Sequence, residues 1–139
     1  MVVALPSILS SAQTKNDSSI IGTWKGESIC QIKNSPCNNE IAVYHVLKTK
    51  ESNTFHFVMN KLINGKEEEM GTLEYTYDAV AQTLTSIDEK RKTIWKFQIK
   101  NTAMNGTLLY KGELYRVIHL KNNNKFKVIN KKIPINSSD

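Results

Sequence analysis

Apolar and polar residues alternate with a period of two along most of the chain. That is the mark of strands with one buried and one wet face. Residues 23–33 open the pattern, with Trp24 leading one face. In 41–48, Ile41, Val43, His45 and Leu47 share one face and Ala42, Tyr44 and Val46 the other. Residues 54–63 align Phe55, Phe57 and Met59, and 93–99 align Trp95, Phe97 and Ile99. Further strands are expected over 70–77, 83–87, 104–110 and 113–120, with a short ninth at 126–129. Turn-forming residues separate them: Asn34-Ser35-Pro36-Cys37-Asn38-Asn39, Glu51-Ser52-Asn53, Asn64-Gly65, Asn101-Thr102 and Lys111-Gly112. Asn64-Gly65 is the strongest hairpin signal, because both residues tolerate positive φ. No segment sustains a 3.6-residue period, so helix is limited to one short piece.

The pattern predicts an all-β domain, an antiparallel up-and-down meander of about eight strands. Such a meander has two free edges that invite aggregation, and closure into a barrel removes both. A two-sheet sandwich is the second architecture. It calls for longer crossing connections than these turns supply.

The chain has 139 residues, of which 40% are hydrophobic, enough for one domain with its own core. Residues 20–130 are expected to form the barrel and 131–139 a polar C-terminal tail. Residues 1–19 read as a truncated signal peptide and linker. Residues 2–9 are mostly apolar and Ser10, Ser11 and Ala12 are small, although the usual basic start is missing. Export to a periplasmic or extracellular space is the expectation; a cytoplasmic chain with a polar leader is the alternative. No apolar run approaches the roughly 20 residues that span a bilayer, so no integral membrane segment is expected.

The net charge of +6 raises the question of nucleic acid. The lysines argue against it, because most stand singly between apolar positions, as on a solvated sheet face. The one local excess, Lys121, Lys125, Lys127, Lys131 and Lys132, has only Phe126 to offer for base stacking.

Cys30 and Cys37 are the only cysteines, one on the first strand and one in the following turn. In an exported chain they are expected to form a disulfide that pins the first hairpin. In a reducing compartment Cys30 would be a buried thiol and Cys37 an exposed one. His45, His56 and His119 form no metal-binding spacing, and no metal or other cofactor is expected. There is no G-x-S-x-G elbow, phosphate-binding loop or recognisable acid pair, so no catalytic residue is assigned. Glu67-Glu68-Glu69 reads as an exposed acidic turn.

Ile21-Gly22-Thr23-Trp24 at the first strand and Leu114-Tyr115-Arg116-Val117 on the last long one carry a resemblance. The chain resembles the lipocalin-like (calycin) β-barrels, and within them small bacterial domains. That resemblance implies a Gly-x-Trp motif at Gly22 and Trp24, with Arg116 packing over the indole at the closed end. Some barrels of this kind hold haem through a late-strand histidine, which would be His119. Alternation opposes that, since Arg116, Ile118 and Leu120 on one face turn His119 to the other.

Trp24, Ser28, Phe55, Phe57, Met59, Trp95 and Phe97, with Met104, are expected to point inward. Gly26, Ser28 and Cys30 are small and would leave space beside the first strand. The leading expectation is therefore a non-enzymatic barrel that binds a small hydrophobic molecule inside. The other is an exported interaction module, an inhibitor or envelope scaffold, whose barrel is filled. The oligomeric state is not legible.

Overall fold

The structure, a computed structural model, describes residues 19–122. The leader, the ninth strand, most of the basic segment and the polar tail fall outside the described residues. Eight strands follow in chain order: β1 (Gly22–Cys30), β2 (Glu40–Lys48), β3 (Thr54–Ile63), β4 (Lys66–Asp78), β5 (Thr83–Asp88), β6 (Thr93–Lys100), β7 (Ala103–Tyr110) and β8 (Glu113–Asn122). Each pairs antiparallel with the next, and β8 returns to β1 to close the barrel.

The turns do what their residues permit. Asn64 and Gly65 adopt φ of 53° and 78°, and Lys111 and Gly112 repeat the arrangement at 51° and 82°. These left-handed pairs match the twist of tight hairpins. Two longer turns share another device. Asp78 Oδ1 accepts the backbone N–H of Val80 and Ala81, and Asp88 Oδ1 accepts those of Lys90 and Arg91. Each carboxylate thus satisfies turn donors that no strand pairs.

Even-numbered positions of β1, β2, β5, β7 and β8 and odd-numbered positions of β3, β6 and most of β4 make the interior. The alternation predicts this for β1, β3 and β6, while on β2, apolar on both faces, Ala42, Tyr44 and Val46 are the inward set. An aromatic layer crosses it. Phe57 lies 4.0 Å from Tyr75 between ring centroids, and Phe97 lies 6.3 Å from Tyr44 and 5.9 Å from Tyr75. Tyr75 donates its hydroxyl to Met59 Sδ at 3.7 Å. Below this layer the barrel is filled by Ile20, Trp24, Val46, Phe55, Leu84, Met104 and Leu120, all buried.

At this closed end Trp24 Nε1 donates to the carbonyl of Ile20 at 2.9 Å. The Ile20 side chain, itself fully buried, accompanies that contact. Arg116 is not there, which corrects the expectation from the family motif. The β1–β8 register sets Trp24 opposite Asn122 and Arg116 opposite Cys30. Arg116 faces inward as expected, but six residues along a strand, about 20 Å, separate the two levels. The covering role falls to Ile20.

Gly26 also departs from expectation. A Cβ there would collide with the carbonyl of His119 on β8. The glycine lets two backbones meet closely instead of leaving room inside. Gly106 has the same role between β7 and β6, where a Cβ would strike the Lys96 carbonyl and the Phe97 ring. Glu67, Glu68 and Glu69 lie within β4 opposite Leu62, Lys61 and Asn60. The tight Asn64–Gly65 turn carries the ladder straight into them, so they are strand residues.

Cys30 and Cys37 form a disulfide with Cα atoms 5.9 Å apart. It takes over where the β1–β2 ladder stops, just beyond Ser28↔Glu40. A loop this short is expected to lend about 2 kcal/mol through chain entropy. Reduction should lower the free energy of unfolding in urea by that amount while the far-ultraviolet spectrum of the barrel persists. Loss of the β spectrum on reduction would show that the bond is required for folding.

Candidate functional site

The upper half of the barrel is open. A cavity of about 550 Å³ is lined by Ser28 on β1, Glu40 and Tyr44 on β2, Met59 on β3, Leu73 on β4, Trp95 on β6, Leu108 on β7 and Arg116 on β8. It exists because the pairing of β4 with β5 is short. Only Thr76–Asp78 of the long β4 find partners on β5. Met70, Gly71, Thr72 and Leu73 on the unpaired stretch and Asp88 at the end of β5 border the cavity, so it reaches the wall between these strands. A register shift beside Met59 adds Met70 as an extra residue on β4 and turns that strand locally.

Of the residues expected to meet a ligand, Ser28, Met59 and Trp95 line the cavity. Trp24, Phe55, Phe57 and Phe97 do not. They are completely buried and pack the closed half and the aromatic layer. Alternation correctly pointed them inward, but their height in the barrel makes them core. Gly22 starts β1 at φ 135° opposite Val46, well away from the cavity. Glu40, Tyr44, Leu73, Leu108 and Arg116 are cavity residues that the sequence reading did not place there. Glu40 was within reach, since it lies two and four residues before Ala42 and Tyr44 on one face.

The polar groups gather on one side. The Arg116 guanidinium donates through Nη1 to the Ser28 carbonyl at 3.3 Å and Ser28 Oγ at 3.1 Å, and through Nη2 to Glu40 Oε2 at 3.4 Å. The same Glu40 oxygen lies 3.9 Å from Lys61 Nζ, which lies 3.9 Å from Glu68. The side chains of Arg116 and Glu40 are only 11% and 17% exposed, so solvent and salt screen this pair less than a surface ion pair. Burial pushes the Tyr44 hydroxyl well above its ordinary value; the Glu40 charge adds to that and Arg116 opposes it. Tyr44 therefore stays protonated and able to donate at any physiological pH. Burial does the same to Tyr75, with Tyr44 the second cause. Opposite the polar side stand Met59, Met70, Leu73 and Trp95.

The histidines are outside this space. His45 Nε2 meets Glu67 Oε1 at 2.7 Å and its Nδ1 meets Thr23 Oγ1 at 3.1 Å, on the outer wall. His119 Nδ1 meets Asn105 Oδ1 at 2.9 Å, also on the outer face, and His56 lies 3.9 Å from Glu74. Among the described residues no three His, Cys, Asp or Glu side chains converge as metal ligands. No helix among them is long and apolar enough to cross a membrane.

No protein-family model matches the chain, and no curated protein matches it in sequence.

Proposed function

We propose that this protein is a lipocalin-like barrel that binds a small, mainly apolar molecule in its upper half, without catalysis. The observation that carries the reading is the cavity of about 550 Å³ beneath the rim, walled by Tyr44, Met59, Leu73, Trp95 and Leu108. Binding sites for small molecules have this size and this mix of apolar wall and few polar groups. The Cys30–Cys37 disulfide supports an oxidising compartment, and with it export.

Titration with the neutral apolar dye N-phenyl-1-naphthylamine tests the proposal. One molecule should bind per barrel with micromolar affinity and a large gain in dye fluorescence. Leu108→Trp fills the cavity without touching the aromatic layer and should abolish the gain. An unchanged dye response in that variant would place binding elsewhere.

The interaction-module reading has one observation in its favour. Ile87, Ile94, Leu109 and Leu114 stand directly opposite one another across β5 to β8 on the outer wall. Ile87 is 63% exposed and Leu114 41%. Such an apolar row suits a protein surface.

A further inference from the structure

The charges that line the cavity cancel. Glu40 and Asp88 face it together with Arg91 and Arg116. Arg116 is matched with Glu40 at 3.4 Å within the wall, and Arg91, largely exposed, is matched with Asp88 at 3.7 Å. A ligand carboxylate drawn to Arg116 would meet the Glu40 carboxylate beside it. A ligand ammonium drawn to Glu40 would meet Arg116 and Lys61, both of which lie against the same carboxylate oxygen. The wall therefore disfavours either charge.

Hydrogen-bonding capacity remains on both sides of the ledger of donors and acceptors. The Tyr44 side chain is almost wholly buried and its ring is held against Phe57 and Phe97. Its hydroxyl finds no hydrogen-bond partner among the described residues, although the residue borders the cavity. Glu40 is engaged only through Oε2, which leaves Oε1 as an acceptor. Arg116 uses Nη1 and one direction of Nη2, which leaves further N–H groups. A donor, an acceptor and a guanidinium edge thus sit together on one wall, facing an apolar one.

We propose that Tyr44, Glu40 and Arg116 recognise an uncharged group that both donates and accepts, such as a carboxamide or lactam, on an otherwise apolar ligand. This rests on the cavity being the binding site. The ligand's carbonyl accepts from the Tyr44 hydroxyl and the guanidinium, and its N–H donates to Glu40 Oε1. The bicyclic or aliphatic body lies against Met59, Leu73 and Trp95. A carboxylate cannot donate to Glu40, and an ammonium cannot accept from Tyr44. Each would leave a buried group unpaired, the circumstance in which polar sites discriminate most sharply.

Calorimetric titration with four compounds on one bicyclic body tests this: 2-naphthamide, 2-naphthoate, 2-naphthylmethylammonium and the head-less 2-ethylnaphthalene. The amide should bind at least about ten-fold more tightly than each of the others. Tyr44→Phe should narrow its advantage over the hydrocarbon. Glu40→Gln should move the preference toward the naphthoate, because Arg116 loses its counter-ion. If the hydrocarbon binds but the amide gains nothing, or the naphthoate wins in the native protein, the proposal is overturned and the cavity reading survives. If none of the four binds, both fall.

Discussion

Gly106→Ala is expected to lower the stability of the barrel by about 3 kcal/mol and its melting temperature by about 12 °C. The glycine sits on β7 opposite Phe97 and Ile118. An added Cβ would strike the Lys96 carbonyl as well as the Phe97 ring. A side chain can turn aside, but a carbonyl in a ladder can move only if the strands part. Gly26→Ala should behave alike, because its Cβ would meet the His119 carbonyl. The control is Gly112→Ala. Gly112 has φ 82° with open space around it, so an alanine there meets only backbone strain, about 1 kcal/mol. Thermal melts followed by circular dichroism would separate the two effects. Equal losses at Gly106 and Gly112 would mean that the close strand approach is not what the glycine provides.

Local geometry explains how much of this fold can be read from the chain. Alternation is a property of each strand by itself, so the inward faces of β1, β3 and β6 follow directly from the pattern. β2 has two apolar faces, and only the closed sheet selects that of Ala42, Tyr44 and Val46. β3 matches its expected bounds, Thr54–Ile63, since Asn53 and Asn64 stop it at both ends with left-handed residues. The height of a residue inside the barrel is another matter. It depends on the stagger accumulated around the closed sheet, to which every hairpin contributes. Arg116 shows this best: its face is right, but the β1–β8 register sets it opposite Cys30. The same cause divides the expected lining. Ser28, Met59 and Trp95 fall above the aromatic layer, whereas Trp24, Phe55, Phe57 and Phe97 fall in or below it.

The acidic run illustrates a second limit. Three consecutive glutamates interrupt the alternation and look like a turn. Their neighbours make them strand: Glu67 accepts from Asn60 Nδ2 at 2.8 Å and meets His45 at 2.7 Å. Asn60 is the near partner, across the Asn64–Gly65 turn, whereas His45 lies 22 residues away and nothing local announces it. The cavity is equally non-local. It arises because β4 is much longer than its pairing with β5. No residue pattern within either strand records that mismatch.

The two tryptophans should separate stability from binding. Trp24→Ala is expected to cost about 4 kcal/mol, the usual loss when a buried aromatic side chain is deleted. It also leaves the Ile20 carbonyl without its indole donor. Trp95→Ala should cost about 1 kcal/mol, because Trp95 is only half-buried and already borders open space. Dye affinity should respond in the opposite order. Trp95 forms part of the apolar wall, so its removal should weaken N-phenyl-1-naphthylamine binding at least about ten-fold. Trp24→Phe, which keeps the closed end filled, should bind the dye as the native protein does, since the aromatic layer of Tyr44, Phe57, Tyr75 and Phe97 lies between Trp24 and the cavity. Urea unfolding and dye titration on the same preparations provide both readouts. If Trp24→Phe weakened the dye as much as Trp95→Ala, the two halves of the barrel would be one continuous interior. The layer would then be a movable plug, and the closed half would belong to the binding site as well.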